Sequence, residues 1–232
     1  MVIMFLDLIY VPFVFAIPHE SLLLGYSESK RPIYAEKFGS GEKSILFLAT
    51  IHGNEWSGLP LLQAFAQSSE IQNIEKELSI ILVPMINPDA FAIQERNNIN
   101  WVDINRNFPS ENYGKSRRNG ESVLSEEESK IIDTLIESNH IQGIVTFHEP
   151  FACIDYNGPG LEWANFIANA SELPVEKLSD MSGSIGSFYG DEKEIPVITV
   201  ELPPYSHVKS IDILWDTYKS LLLASISFWY ET

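Results

Sequence analysis

Cysteine is nearly absent. The 232 residues contain one, Cys153, which excludes an internal disulfide framework and a cysteine-based zinc site. Basic residues are also scarce: 15 Lys and Arg stand against 32 Asp and Glu, a net charge of −17. That deficit argues against nucleic acid as a partner, because phosphates need a basic face. It suits a metal cation or an amine-bearing substrate, and equally a merely solvated acidic exterior. Long apolar runs are missing except at the start, MVIMFLDLIYVPFVFAI over residues 1–17. That run is short for a membrane helix and is interrupted by Pro12, so no stable membrane span is expected. As a signal-peptide core it lacks preceding Lys or Arg, contains Asp7 and is followed by no Ala-x-Ala site; an uncleaved strand or a misassigned start reads equally well. No internal repeat or low-complexity segment is visible.

What is present describes a globular chain. Hydrophobic residues make up 45% and charged residues 20%, in a length that suits one domain with a sizeable core. Short apolar runs without polar alternation predict strands buried on both faces: SILFLAT from Ser44, LSIILVP over 78–84, IQGIVTF over 141–147 and IPVITVEL over 195–202. Arg31–Tyr34 predicts an edge strand entered by a turn, and Lys37–Glu42 a tight turn. Helical spacing predicts helices at Ser57–Gln67, Leu161–Ala170 and Ser210–Phe228. Ser125-Glu126-Glu127-Glu128 reads as a capping box opening another, with Ile131, Ile132, Leu135 and Ile136 inward. Asn87-Pro88-Asp89 signals a turn, and Met181–Gly190, rich in Ser and Gly, a flexible loop. Strands alternating with helices indicate the α/β class: a single domain with a mainly parallel, mixed sheet flanked by helices.

Three of these strands end in chemistry. The SILFLAT strand runs into Thr50-Ile51-His52-Gly53-Asn54-Glu55, where Gly53 permits a sharp turn that aims His52 and Glu55 at one place. Sites in open α/β sheets lie beyond the carboxyl ends of strands, and a His with a Glu there can hold zinc. A plain hydrogen-bonded pair is the other reading. His148 follows the IQGIVTF strand, and alone it could equally bond to backbone. Glu201 lies within VITVELP, where an unpaired charge costs several kcal/mol, so it must be paired or sit at a cavity rim. The polar stretch 92–120 is too long and too specific in its mixture, with Trp101-Val102-Asp103-Ile104-Asn105-Arg106-Asn107-Phe108-Pro109, to be a linker.

These pieces, in order, are GYSESKRPI, IHGNE, INPDAF, ERNNINWVDINRNFP, FHEP and ITVELPP. As an ordered set they resemble the zinc carboxypeptidase superfamily of the carboxypeptidase A type, and in particular its bacterial murein peptide amidases. The resemblance extends from about Gly25 onward and implies a catalytic domain over 21–232 behind an apolar segment over 1–20. Carried over, it implies His52, Glu55 and His148 as ligands of one Zn2+, Glu201 as general base, Arg96 as oxyanion donor, and Asn105 with Arg106 as the grip on a terminal carboxylate. Without it, Arg106 would read as a surface residue. Asp103 is expected to support the loop or a ligand. Two departures stand out: Ala90 replaces the usual Gly after Asp89, which would alter that turn, and Trp101 replaces a small residue, which would narrow the pocket.

The reading that follows is a zinc-dependent hydrolase acting on an amide next to a free carboxylate, with a murein tripeptide cut between γ-D-glutamate and diaminopimelate as the implied small-peptide substrate. Alternatives are a general metallocarboxypeptidase, an aspartoacylase-like or succinylglutamate desuccinylase-like deacylase, or a non-catalytic carboxylate-binding module. The deacylases usually carry an added β domain after the catalytic Glu, whereas 31 residues follow Glu201 here. Murein-recycling relatives imply a cytoplasmic location; residues 1–17 acting as a signal would imply export.

Overall fold

The computed structural model describes residues 19–71, 78–179, 181–204 and 210–231. The apolar run over 1–17 lies outside them. Seven strands form one sheet: β1 (His19–Tyr26), β2 (Pro32–Gly39), β3 (Lys43–Leu48), β4 (Leu78–Val83), β5 (Ile141–His148), β6 (Cys153–Asn157) and β7 (Val197–Glu201). Their spatial order is β1-β2-β4-β3-β5-β7-β6. The four inner strands β4, β3, β5 and β7 are mutually parallel, with antiparallel β2 and β1 on one side and antiparallel β6 on the other. The helices are α1 (Gly58–Gln67), α2 (Pro88–Ile93), α3 (Glu127–Ser138), α4 (Leu161–Ala168) and α5 (Ile211–Glu231). No helix among the described residues is long and apolar enough to cross a membrane.

The pleat sorts the apolar strands into two cores. On one face Ile45, Phe47, Val145 and Val200 pack with Leu62 and Phe65 of α1, Trp163 of α4 and Leu222 of α5. On the other, Leu46, Leu48, Ile81 and Ile144 meet Ile132 and Leu135 of α3 and Phe108 of the long loop. Burial on both faces is why these strands show no alternation in sequence.

Several expectations are corrected. The strand expected at the edge is second in the sheet, because β1 covers it; β1 alternates too weakly, with Leu23 and Tyr26 half exposed, to be read as a strand. Asn87-Pro88-Asp89 begins α2 instead of a turn: the Asn87 side chain accepts the Ala90 N–H at 3.1 Å, with Pro88 in the first helical turn. The capping box at Ser125 does not form. Ser125 Oγ instead donates to Glu126 at 2.6 Å, and the start of α3 is held by Asn107, whose Oδ1 accepts from Glu126 N at 3.2 Å and Ser129 Oγ at 2.6 Å. The same amide donates to the carbonyls of Asn119 and Ser122, tying the long loop to the helix. The expected loop at Met181–Gly190 is largely packed, with a π-helical segment over Gly186–Glu192 whose Tyr189 is fully buried. Gly186 serves close approach: a Cβ there would lie 2.2 Å from Asn157 Oδ1.

Glu128 is fully buried in the first turn of α3, and its Oε1 has no hydrogen-bond partner among the described residues. Burial, with Asp89 and Glu126 nearby, pushes its pKa from 4.5 up to about 7, opposed only in part by its own backbone N–H and a long bond of 3.4 Å from Asn98. The native state therefore holds this proton more tightly than the unfolded chain. The group's contribution is full below pH 4.5 and is lost as pH rises to about 7, a swing of about 3 kcal/mol. Replacing Glu128 with Gln is expected to stabilise the protein in urea unfolding at pH 8 by about 1–3 kcal/mol, and to change little at pH 4.5.

Candidate metal centre and active site

The chemistry gathers where the parallel strands end. After β3 the chain continues through Ala49 and Thr50, whose backbone accepts from Ile86 N (3.3 Å) and Asn87 N (3.2 Å), and Asn87 Nδ2 donates to the Ile51 carbonyl at 3.1 Å. Those bonds fix the loop that carries His52. A turn closed by Glu55 N–H to the His52 carbonyl (3.1 Å) brings the Glu55 carboxylate back beside the imidazole. Left-handed backbone falls at Thr50 (φ 56°), not at Gly53. Gly53 is required for a different reason from the expected sharp turn: a Cβ there would sit 2.0 Å from the Ala90 carbonyl carbon of α2. Neighbouring strands β5 and β7 are in register with His148 opposite Glu201.

The side chains of His52, Glu55 and His148 converge, their ligating atoms all within 4.8 Å of one another. Glu55 Oε2 lies 2.7 Å from His52 Nδ1 and 2.8 Å from His148 Nδ1, and the two Nδ1 atoms are 3.2 Å apart. Two ring nitrogens and a carboxylate oxygen in one buried spot form the nitrogen and oxygen donor set that suits zinc. His52 is oriented for that task, since its Nε2 faces Asp103 Oδ1 at 2.9 Å, which leaves Nδ1 as the lone-pair nitrogen. His148 Nε2 is buried with no hydrogen-bond partner among the described residues, so only its Nδ1 is engaged.

Charge is concentrated here. Burial, the largest single influence on His52, lowers its pKa, but the Glu55 and Asp103 carboxylates together outweigh it and leave it raised. Burial raises Glu55 and Asp103, and the adjoining imidazoles and, for Asp103, arginines hold both well below the usual carboxylate range. Glu201 is different: burial pushes its carboxyl up, the facing His148 only partly offsetting it. Burial likewise lowers Arg106.

All seven residues singled out in the sequence, His52, Glu55, Arg96, Asn105, Arg106, His148 and Glu201, line one cleft of about 350 Å³. Arg96 bridges Glu55 and Asp103, the latter at 3.1 Å through Nε. Asn105 Oδ1 accepts Ile185 N–H at 2.9 Å, which leaves its amide N–H groups to the cleft, and Arg106 Nη1 donates to the Asn105 carbonyl. Trp101 does not narrow the cleft: its side chain is half exposed and lies outside the lining. Sequence reasoning missed Arg118 and Asp155, which also line it. Arg118 stands in a polar loop among other charged residues, and Asp155 in the unrecognised strand β6, so neither had a pattern to mark it.

Comparisons with known proteins point to one family. A family model described as zinc carboxypeptidase matches residues 19–156. The chain is 29% identical over 195 residues to murein peptide amidase A of Vibrio campbellii, covering 76% of each protein. It is 30% identical over 185 residues to murein peptide amidase A of Escherichia coli K12, covering 72% of this chain and 74% of the other. Among solved structures, the murein-tripeptide amidase MpaA from Escherichia coli O157 superposes with a TM-score of 0.72 at 26% identity, over 90% of this chain and 93% of that one. The carboxypeptidase A of Helicoverpa armigera shares the fold at a TM-score of 0.70 and 19% identity, over 89% of this chain and 66% of that one.

Two outcomes follow from the packing and the ligand support. Gly53→Ala is expected to cost about 2–4 kcal/mol in denaturant unfolding, because backbone must move. Gly114→Ala, where nothing lies within 4 Å, is the control and should stay within about 0.5 kcal/mol. Asp103→Asn should weaken zinc binding by about 10–100-fold in competition with a chromogenic chelator, with far-UV circular dichroism unchanged.

Proposed function

The chain belongs to the zinc carboxypeptidase family of metallopeptidase hydrolases, and from that premise we propose that it is a murein peptide amidase, cutting the amide between γ-D-glutamate and diaminopimelate next to a free carboxylate. The observation that carries this reading is the joint lining of one cleft by a three-donor metal set, a buried carboxyl and two arginines. The substrate comes from the names of its relatives, murein peptide amidase A and murein-tripeptide amidase. In this reading His52, Glu55 and His148 hold the zinc.

Zinc bound there supplies a Lewis acid and a water that ionises near neutral pH. The remaining work belongs to side chains. Glu201, opposite His148 across the β5–β7 pair, takes the water proton on its carboxylate and delivers it to the departing amine. Its burial favours the protonated form, which suits a group that must both accept and return a proton. Arg96 is anchored through Nε and Nη1, so its Nη2 N–H groups can meet the negative oxygen that develops on the scissile carbonyl. Arg106 and the Nδ2 of Asn105 hold the carboxylate of the leaving half, Arg106 through its planar fork.

Glu201→Gln is expected to retain one zinc per chain by metal analysis and to lower kcat on murein tripeptide by about 10²–10⁴-fold with KM little changed. Unchanged turnover would reject the base role. Parallel assays on N-acyl amino acids separate this reading from a deacylase, which would prefer them.

A further inference from the structure

The cations of this acidic chain are unevenly spread. Of its 15 Lys and Arg, three arginines, Arg96, Arg106 and Arg118, line the one cleft. Two of them share a single carboxylate oxygen: Arg96 Nε and Arg118 Nη2 each lie 3.1 Å from Asp103 Oδ2. The other oxygen of Asp103 is committed to His52 and to the backbone N–H of Asn105. Arg106 has no carboxylate partner among the described residues; its side chain donates to a backbone carbonyl. Among the described residues the three guanidiniums make direct ion pairs only with Glu55 and Asp103, and a ligand with one carboxylate uses only Arg106.

Arg118 is the remainder. Its side chain is 56% exposed, and the Asp103 contact leaves its other N–H groups without an acceptor among the described residues. Its place is nonetheless built. The Arg118 carbonyl accepts Asp103 N–H at 2.8 Å, and the turn that carries it is closed by Gly120 N–H to the Ser116 carbonyl at 3.0 Å. The adjacent Arg117 does not line the cleft. Sharing Asp103 Oδ2 puts Arg118 beside Arg96, the donor to the acyl carbonyl, whereas Arg106 and Asn105 serve the leaving half.

We propose that Arg118 is a further substrate-binding residue that pairs with a second carboxylate, carried by the residue on the acyl side of the scissile amide. In the substrate proposed above, that group is the free α-carboxylate of the glutamate linked through its side chain. The assignment of sides rests on the function proposed above.

The test is calorimetric binding to zinc-loaded Glu201→Gln protein, which holds ligand without turnover. The probes are a γ-glutamyl-diaminopimelate peptide with a free glutamyl α-carboxylate and the same peptide with that group as a carboxamide. The carboxylate form should bind about 10-fold tighter or more, and adding Arg118→Gln should erase the difference by weakening that form alone. Equal weakening of both peptides would overturn the proposal in favour of support for Asp103, and so would a preference that persists without Arg118. Arg118→Lys, which keeps the charge and loses the fork, should retain a reduced preference; it carries the comparison if circular dichroism shows the glutamine variant unfolded. Arg118-dependent preference without hydrolysis of either peptide by the parent enzyme would uphold this proposal and sink the murein assignment. Binding of neither peptide would sink both.

Discussion

One buried carboxylate governs the geometry of the cleft. Asp103 is inaccessible to solvent, and its two oxygens accept from His52, Arg96, Arg118 and the Asn105 backbone. Burying such a charge costs several kcal/mol unless its acceptor sites are filled, and here they are filled by residues that line the cleft. The interaction that solvates Asp103 internally thus also selects the tautomer of one imidazole, sets the reach of two guanidiniums and starts the short 3₁₀ turn over Ile104–Arg106 that presents Arg106. A neutral substitute would remove the charge and one of the two acceptor oxygens on which these groups converge.

Around that charge the fold supplies stiffness through close packing. The site loop lies against α2 at Gly53, and the π-helical segment lies against β6 at Gly186, both at distances no side chain tolerates. Asn107 seals the long loop to α3 with both ends of its amide. Catalytic groups held within fractions of an ångström need backing of this kind, because displacement of reacting atoms is costly in rate.

The inner sheet and its strand-end residues were legible because burial on both faces leaves an unmistakable record: unbroken apolar runs, each stopping at a polar residue. His52, Glu55, His148 and Glu201 were found in that way, and Arg96, Asn105 and Arg106 through the family's ordered motifs. The outer strands β1 and β6 were not legible: β1 is largely exposed or half-exposed and lacks clean alternation, and β6, although mostly buried, carries Asp155 and Asn157 among its five residues. The capping of α3 was misread because a partner from a distant loop, Asn107, replaced the local one. Glycines that permit contact look in sequence like glycines that permit motion, so the segment before β7 reads in sequence as a flexible loop. Arg118 owes its position to a tertiary bond with Asp103, which no local pattern encodes.

The parallel pairing has a kinetic corollary. His52 and Glu201 are brought to one cleft by strands whose neighbours are distant in sequence, so joining the His52–Glu55 turn to His148 and Glu201 closes long loops. During synthesis the ribosome has already released the first imidazole and its carboxylate well before the strand bearing Glu201 emerges. In the function proposed above, a nascent fragment carrying His52, Glu55 and even His148 has the metal donors yet lacks the carboxyl of Glu201. In the function proposed above, the complete set therefore assembles late, once β7 has emerged and paired with β5.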